Sequence, residues 1–287
     1  MTDQPNRPAL TAAARDAQAI TKRVLSAIAL IAGSLALTWL GGLAFALMLL
    51  GVGATMMWEW KRMVGVAPEA DFHVSIVAFG AIVLTGLVAV THPAAIFAPL
   101  ALALAAILIF RPMLLGAGIL YVVLPVAALI WIRADEPYGG LAIIFLFAVV
   151  WATDTFAMIT GRIVGGPLLW KSVSPNKTWS GAVGGLIAAS IVGAAMLVFG
   201  ASTGASTGDW AYGAILGAAL SVCAQVGDLV ESAVKRACRV KDTSGLIPGH
   251  GGVLDRMDGI VGAAVGASAV LLLVAPDHPA RSLVTGG

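Results

Sequence analysis

An all-α, polytopic integral membrane protein of about nine transmembrane helices, with its N-terminus in the cytoplasm, is the fold class that the sequence predicts. Three observations carry it. The chain has 287 residues, 59% of them hydrophobic and 11% charged, and counting glycine in place of tyrosine raises the apolar share to roughly 70%. Soluble domains hold ~45–50% apolar and ~25% charged residues, so a soluble fold could not hide this much apolar surface, and disorder requires the opposite composition. Apolar runs close to the ~20 residues needed to cross hydrocarbon recur along the chain. Finally, fifteen of the seventeen Lys and Arg residues fall on one side of the layout those runs define, leaving only Arg133 and Arg281 on the other. Such asymmetry is the positive-inside pattern, and an even number of spans would destroy it.

The spans are expected at 24–40, 42–58, 74–91, 94–110, 113–132, 141–160, 181–200, 210–230 and 259–275. The first two come from one continuous run, Val24 to Trp58, divided at Gly41-Gly42. Leu, Ala, Ile and Val follow one another without period-2 alternation, which argues against a β-barrel. Glycine and alanine within the spans suit close helix–helix approach. Trp58, Trp60 and Trp131 fall at span ends, as in an interfacial aromatic belt, and Glu59 reads as an interfacial anchor beside Lys61 and Arg62. Residues 1–19 are expected as a flexible cytoplasmic arm, 20–275 as one transmembrane domain and 276–287 as a flexible tail. No cleavable signal peptide and no internal repeat are expected. Cys223 and Cys238 call for neither a disulfide nor a zinc site.

Polar residues concentrate in two cytoplasmic loops. The first, about 161–180, holds Lys171, Ser174, Pro175, Asn176, Lys177, Thr178 and Trp179. The second, about 231–259, holds five basic and four acidic residues and a Gly-His-Gly-Gly stretch. Asp228 and Glu231 are three residues apart and share a helix face, which Ser232 and Lys235 continue. Asp255 and Asp258 are likewise three apart, at the start of the last span, with Arg256 between them pointing elsewhere. First-turn acids also favour a helix N-terminus without any ligand. Carboxylates among basic groups nevertheless point to magnesium, which one or two carboxylates hold together with substrate phosphates. Gly251 and Gly252 lack Cβ atoms, so their N–H groups could approach an anion, with His250 beside them. Asp154, inside the sixth span between Thr153 and Thr155, must face protein or water, since an unpartnered acid there costs ~2.5–3.5 kcal/mol.

The second loop carries a resemblance. Ser-Ala-Val-Lys-Arg at 232–236, then Lys-Asp-Thr-Ser-Gly-Leu-Ile-Pro-Gly-His-Gly-Gly-Val-Leu-Asp-Arg-Met-Asp at 241–258, resembles the signature of phosphatidate cytidylyltransferases, the CDP-diacylglycerol synthases. Gln225-Val-Gly-Asp228-Leu-Val-Glu231 looks like the same family, and Ser174-Pro-Asn-Lys-Thr-Trp is similar to its Ser-Pro-x-Lys-Thr stretch. This chain has Ser180 where the family commonly has an acid and Asn176 where it often has a second Lys, so those two positions receive no role. Asp154 followed by Thr160-Gly161-Arg162 matches the family's sixth span.

The resemblance implies attack of the phosphate of phosphatidic acid on the α-phosphorus of CTP, with release of pyrophosphate. On that reading Asp228, Asp255 and Asp258, with Asp154 as a further candidate, hold one or two Mg²⁺ ions. Lys235, Arg236, Lys241 and Arg256 neutralise phosphates. Ser174, Lys177, Thr178 and Ser232 contact the nucleotide, and His250, Gly251 and Gly252 cradle phosphate. The implied partners are CTP, phosphatidic acid, membrane lipids and a second copy of the chain in a homodimer; no nucleic acid is expected. The implied location is a bacterial-type inner membrane, active site toward the cytoplasm. A CTP-dependent enzyme acting on a polyprenol or ether lipid keeps the chemistry with another lipid. A secondary transporter would use the intramembrane Asp154, but transporters place substrate near the midplane between repeats.

Overall fold

The computed structural model describes residues 12–66, 80, 113–202, 208–247 and 251–286. Helices dominate: α1 (Ala12–Leu40), α2 (Gly42–Val64), α3 (Met113–Ala134), α4 (Gly139–Val164), α5 (Trp179–Ser202), α6 (Trp210–Ala237), α7 (Leu254–Val274) and the short α8 (Pro279–Thr285). A two-stranded antiparallel hairpin, β1 (Leu168–Trp170) with β2 (Ser174–Thr178), joins α4 to α5. Six of these helices, α2 to α7, are long and apolar enough to cross a membrane, and α1 adds the apolar stretch Val24–Leu40. The chain is therefore an all-α polytopic membrane protein. The expected spans at 74–91 and 94–110 lie outside the described residues, apart from Gly80.

Helix direction alternates and defines two rims. α2, α4 and α6 end at one rim, where α3, α5 and α7 begin. The division at Gly41 holds, because its φ of 74° takes the left-handed conformation that breaks α1 from α2. α3 is the central helix, with Ile119, Val122, Leu129 and Ile132 fully enclosed. Small residues let the helices touch: a Cβ on Gly213 would lie 2.6 Å from the Gly193 carbonyl oxygen, and one on Gly227 would lie 2.8 Å from Gly262 Cα.

Four expectations change. α1 already begins at Ala12, inside the stretch expected as an arm, and residues 1–11 lie outside the described residues. Trp60 and Trp131 are core residues, not belt residues, being 1% and 3% exposed. Trp60 donates its ring N–H to Leu114 O at 2.8 Å and packs on Tyr121 with ring centres 5.3 Å apart. Trp58 keeps its place at the surface, joined by exposed Trp170 and Trp179 at the same rim and by Trp39 and Trp210 at the other. The tail is ordered into α8, whose Ala280, Leu283 and Val284 are buried and whose first N–H groups, from Ala280 and Arg281, donate to Asp135 Oδ2 at 2.8 and 2.9 Å. Finally, α7 begins at Leu254 rather than 259, which puts Asp255 in its first turn and Asp258 just beyond.

Candidate active site

A cavity of about 570 Å³ opens at the rim where α4 and α6 end and α5 and α7 begin. Its size falls in the usual range for small-molecule sites. α4 supplies Asp154, Gly161 and Arg162 to its wall; the hairpin supplies Ser174, Asn176, Lys177 and Thr178; α6 supplies Gln225, Asp228 and Lys235. α7 and the segment before it supply Asp242, Asp255, Arg256 and Asp258. The two charged loops, separated by a whole helical hairpin in sequence, thus meet because α4, α5, α6 and α7 pack side by side.

Local structure explains the placement. Thr178 ends β2 and accepts from the backbone of Gly181 at 3.1 Å, which caps the first turn of α5 and fixes the hairpin at the helix start. Ser180 serves the same corner, meeting Thr178 Oγ1 at 2.9 Å and donating to Gly165 O. At the facing wall Lys177 forms an ion pair with Asp228 Oδ2, while Ser232 donates to Asp228 Oδ1 at 3.4 Å. Lys235 bridges two acids, 2.7 Å from Asp255 Oδ1 and 3.1 Å from the fully buried Glu231. Asp258 accepts from the backbone of Gly259 at 2.8 Å.

Several expected site residues are engaged within the protein or lie off the cavity wall, and one faces another way than expected. Asp255 is already engaged: besides Lys235 it accepts from Thr243 N and Gly252 N at 2.9 Å and from Thr243 Oγ1 at 2.8 Å. Gly252 therefore gives its N–H to Asp255 rather than presenting it to a phosphate. Gly251 takes a φ of 83° and closes the loop through its carbonyl, which accepts from Ile247 N at 2.9 Å. His250 lies outside the described residues. Arg236 leaves the cavity and donates to the carbonyls of Val173 and Val240 at 3.3 and 3.4 Å, bracing the hairpin turn against the end of α6. Lys241 and Ser232 do not line the cavity either. Arg256, expected to point away from its flanking acids, lies on the same wall.

Residues without an assigned role also line the cavity: Arg162, Asn176, Gln225 and Asp242. The larger revision concerns Glu59. It is no interfacial anchor but is fully buried, accepting from Ser244, Val253 and Leu254 of the signature segment. Burial raises the pKa of the Cys238 thiol from its ordinary value, so this cysteine stays protonated at neutral pH. Among the described residues no three Asp, Glu, His or Cys side chains gather closely enough to hold a metal ion unaided.

Residues 21–274 match the model of the cytidylyltransferase family. A phosphatidate cytidylyltransferase of Brucella abortus is 41% identical over 248 residues, which cover 84% of this chain and 89% of that protein. One from Rickettsia bellii is 38% identical over 152 residues, covering 52% and 65% of the two chains. One from Haemophilus influenzae is 42% identical over 129 residues, covering 45% of each. The chain belongs to the cytidylyltransferase family.

Proposed function

We propose that the cavity is where phosphatidic acid and CTP react. A phosphate oxygen of the lipid attacks the α-phosphorus of CTP, the bond to the β-phosphate oxygen breaks, and CDP-diacylglycerol and pyrophosphate form. The observation that carries this reading is the meeting of two basic segments and a set of carboxylates in one cavity at the ends of membrane-length helices. A soluble polyanion and a lipid headgroup both have access to such a place. The names of the relatives support the same reaction.

The attacking phosphate is already an anion, so no general base is needed and catalysis consists of positioning and charge neutralisation. Lys177, on the hairpin, exchanges its partner Asp228 for a CTP phosphate. Lys235, held by Asp255 and Glu231, presents its remaining donor capacity to the cavity as a point charge. Arg256 and Arg162 have the planar fork that binds phosphate oxygens bidentately, and Arg162, next to exposed Ile163 and Val164, suits the lipid phosphate.

Magnesium fits this wall. Asp154, Asp228 and Asp258 reach the cavity from three different helices, and a set too sparse to hold an ion alone suits Mg²⁺, which is completed by substrate phosphates. Those three residues would hold the ion, one or two in number. Asp255 is better described as the partner that aims Lys235. When bound, the metal neutralises phosphate charge and aligns the leaving pyrophosphate.

The rim bearing the cavity also bears Lys61, Arg62, Arg162, Lys171, Lys177, Lys235, Arg236, Arg239, Lys241 and Arg256, whereas Arg133 and Arg281 mark the other. By the positive-inside rule the cavity faces the cytoplasm of a bacterial inner membrane, as does the N-terminus, and nine spans satisfy the charge pattern. The homodimer belongs to this proposal and is checked by light scattering in detergent. The test of the reaction uses CTP labelled at the α- or the γ-phosphate, with phosphatidic acid, a polyprenol and an ether-linked lipid phosphate offered separately. Label from the α-position entering phosphatidic acid supports the proposal. Label from the γ-position entering polyprenol would identify a kinase, and no label in any lipid would leave the transporter reading.

A further inference from the structure

We infer that Glu59 is a positioning residue for this reaction, acting on the cavity from outside it through the signature segment; the inference rests on the reading of the cavity given above. Glu59 lies near the end of α2 and is completely buried. A carboxylate enclosed in a membrane-length helix must be partnered. All its partners come from one stretch 184 to 195 residues away in sequence. Oε1 accepts from Ser244 Oγ at 2.6 Å and Val253 N at 2.9 Å; Oε2 accepts from Leu254 N at 2.7 Å and lies 3.3 Å from Thr243 Oγ1. Val253 is the N-cap of α7 and has no side-chain oxygen to offer, so Glu59 supplies the cap from another helix.

The same segment then leads to the cavity. Thr243 and Gly252, one at each end of the loop that Glu59 grips, donate to Asp255 Oδ2, and Asp255 Oδ1 accepts from Lys235 at 2.7 Å. Lys235 lines the cavity, whereas Glu59 does not. Glu59 therefore closes both ends of the loop around the carboxylate that aims Lys235. Gly252 makes this possible, because a Cβ there would lie 2.5 Å from Glu59 Oε1 and would also strike Thr243 Oγ1. No local periodicity announces such a residue, since its role exists only across the bundle.

The test compares purified wild type with Glu59→Gln and Ser244→Ala in detergent, supplied with phosphatidic acid, α-labelled CTP and Mg²⁺. Glutamine keeps the size but turns one acceptor into a donor facing donors. Turnover per folded molecule should fall about ten- to a hundred-fold in Glu59→Gln, with the KM for CTP changing less than about threefold. Amide exchange should quicken at 251–255 and stay unchanged in α4 and α5. A merely structural role would lower the melting temperature and leave turnover per folded molecule intact; that result overturns the inference. If Glu59→Gln does not fold, Ser244→Ala decides: a kcat lowered about threefold supports it, and a wild-type kcat overturns it. A wild type that labels no lipid would strike the reading of the cavity itself, whereas a wild type and a Glu59→Gln that label equally strike only Glu59.

Discussion

At the rim where α3 ends, Arg133 donates to Thr38 O at 3.0 Å and pairs with Glu136 at 2.5 Å, while Asp135 caps α8. At the rim where α6 ends, Lys177, Asp228, Lys235, Asp255, Arg256 and Asp258 crowd one cavity. Both rims hold charges of both signs at helix ends. They differ in where the charges are directed. Arg133 and Asp135 terminate on backbone groups of their own chain, and Tyr212 adds a bond to Ser282 O at 3.1 Å, so that rim is a closed lock on α1 and α8. The other rim keeps charged atoms on the wall of an open space. Charge used for stability ends on the protein itself, and charge kept for a ligand faces a cavity.

Substitutions can break that contrast, beginning with the largest effect. Asp258→Asn should lower kcat by about 10²–10³-fold with the protein still folded, and chelation of divalent metal should abolish turnover until Mg²⁺ is restored. Activity near wild type in Asp258→Asn would remove this residue from the metal proposal. Lys177→Ala should raise the KM for CTP about tenfold and that for phosphatidic acid less than about twofold. Equal changes in both would deny it a nucleotide role. Gly262→Leu should destabilise the bundle by about 1–3 kcal/mol through overpacking against α6, read as a lower melting temperature. The smallest effect belongs to the closed rim. Asp135→Ala should cost about 1 kcal/mol of stability through loss of the α8 cap and leave kcat unchanged.

Much of this was legible in sequence because it depends on local pattern. Apolar run length marks the spans, and the charge-dense loops mark the cavity rim. Lys177, on the hairpin that joins two helices, and Asp228, Lys235, Asp255 and Asp258, near helix ends, line one cavity there. What sequence spacing missed depends on contacts between distant segments. Glu59 sits among Trp and basic residues as an anchor would, and only the fold shows it buried under the signature loop. Trp60 is enclosed for the same reason, because α3 crosses it. Arg236 follows Lys235 directly, but adjacent residues on a helix point in different directions, so one reaches the cavity and the other the carbonyls of Val173 and Val240. The tail, polar enough to read as loose, is held by an acid in the loop after α3.

The contrast between the rims is tested most directly by equilibrium binding of CTP, with Mg²⁺ and without lipid, to wild type, Lys177→Ala and Asp135→Ala. The account predicts affinity about tenfold weaker in Lys177→Ala and wild-type affinity in Asp135→Ala. Equal affinities in all three, or a loss confined to Asp135→Ala, would contradict it.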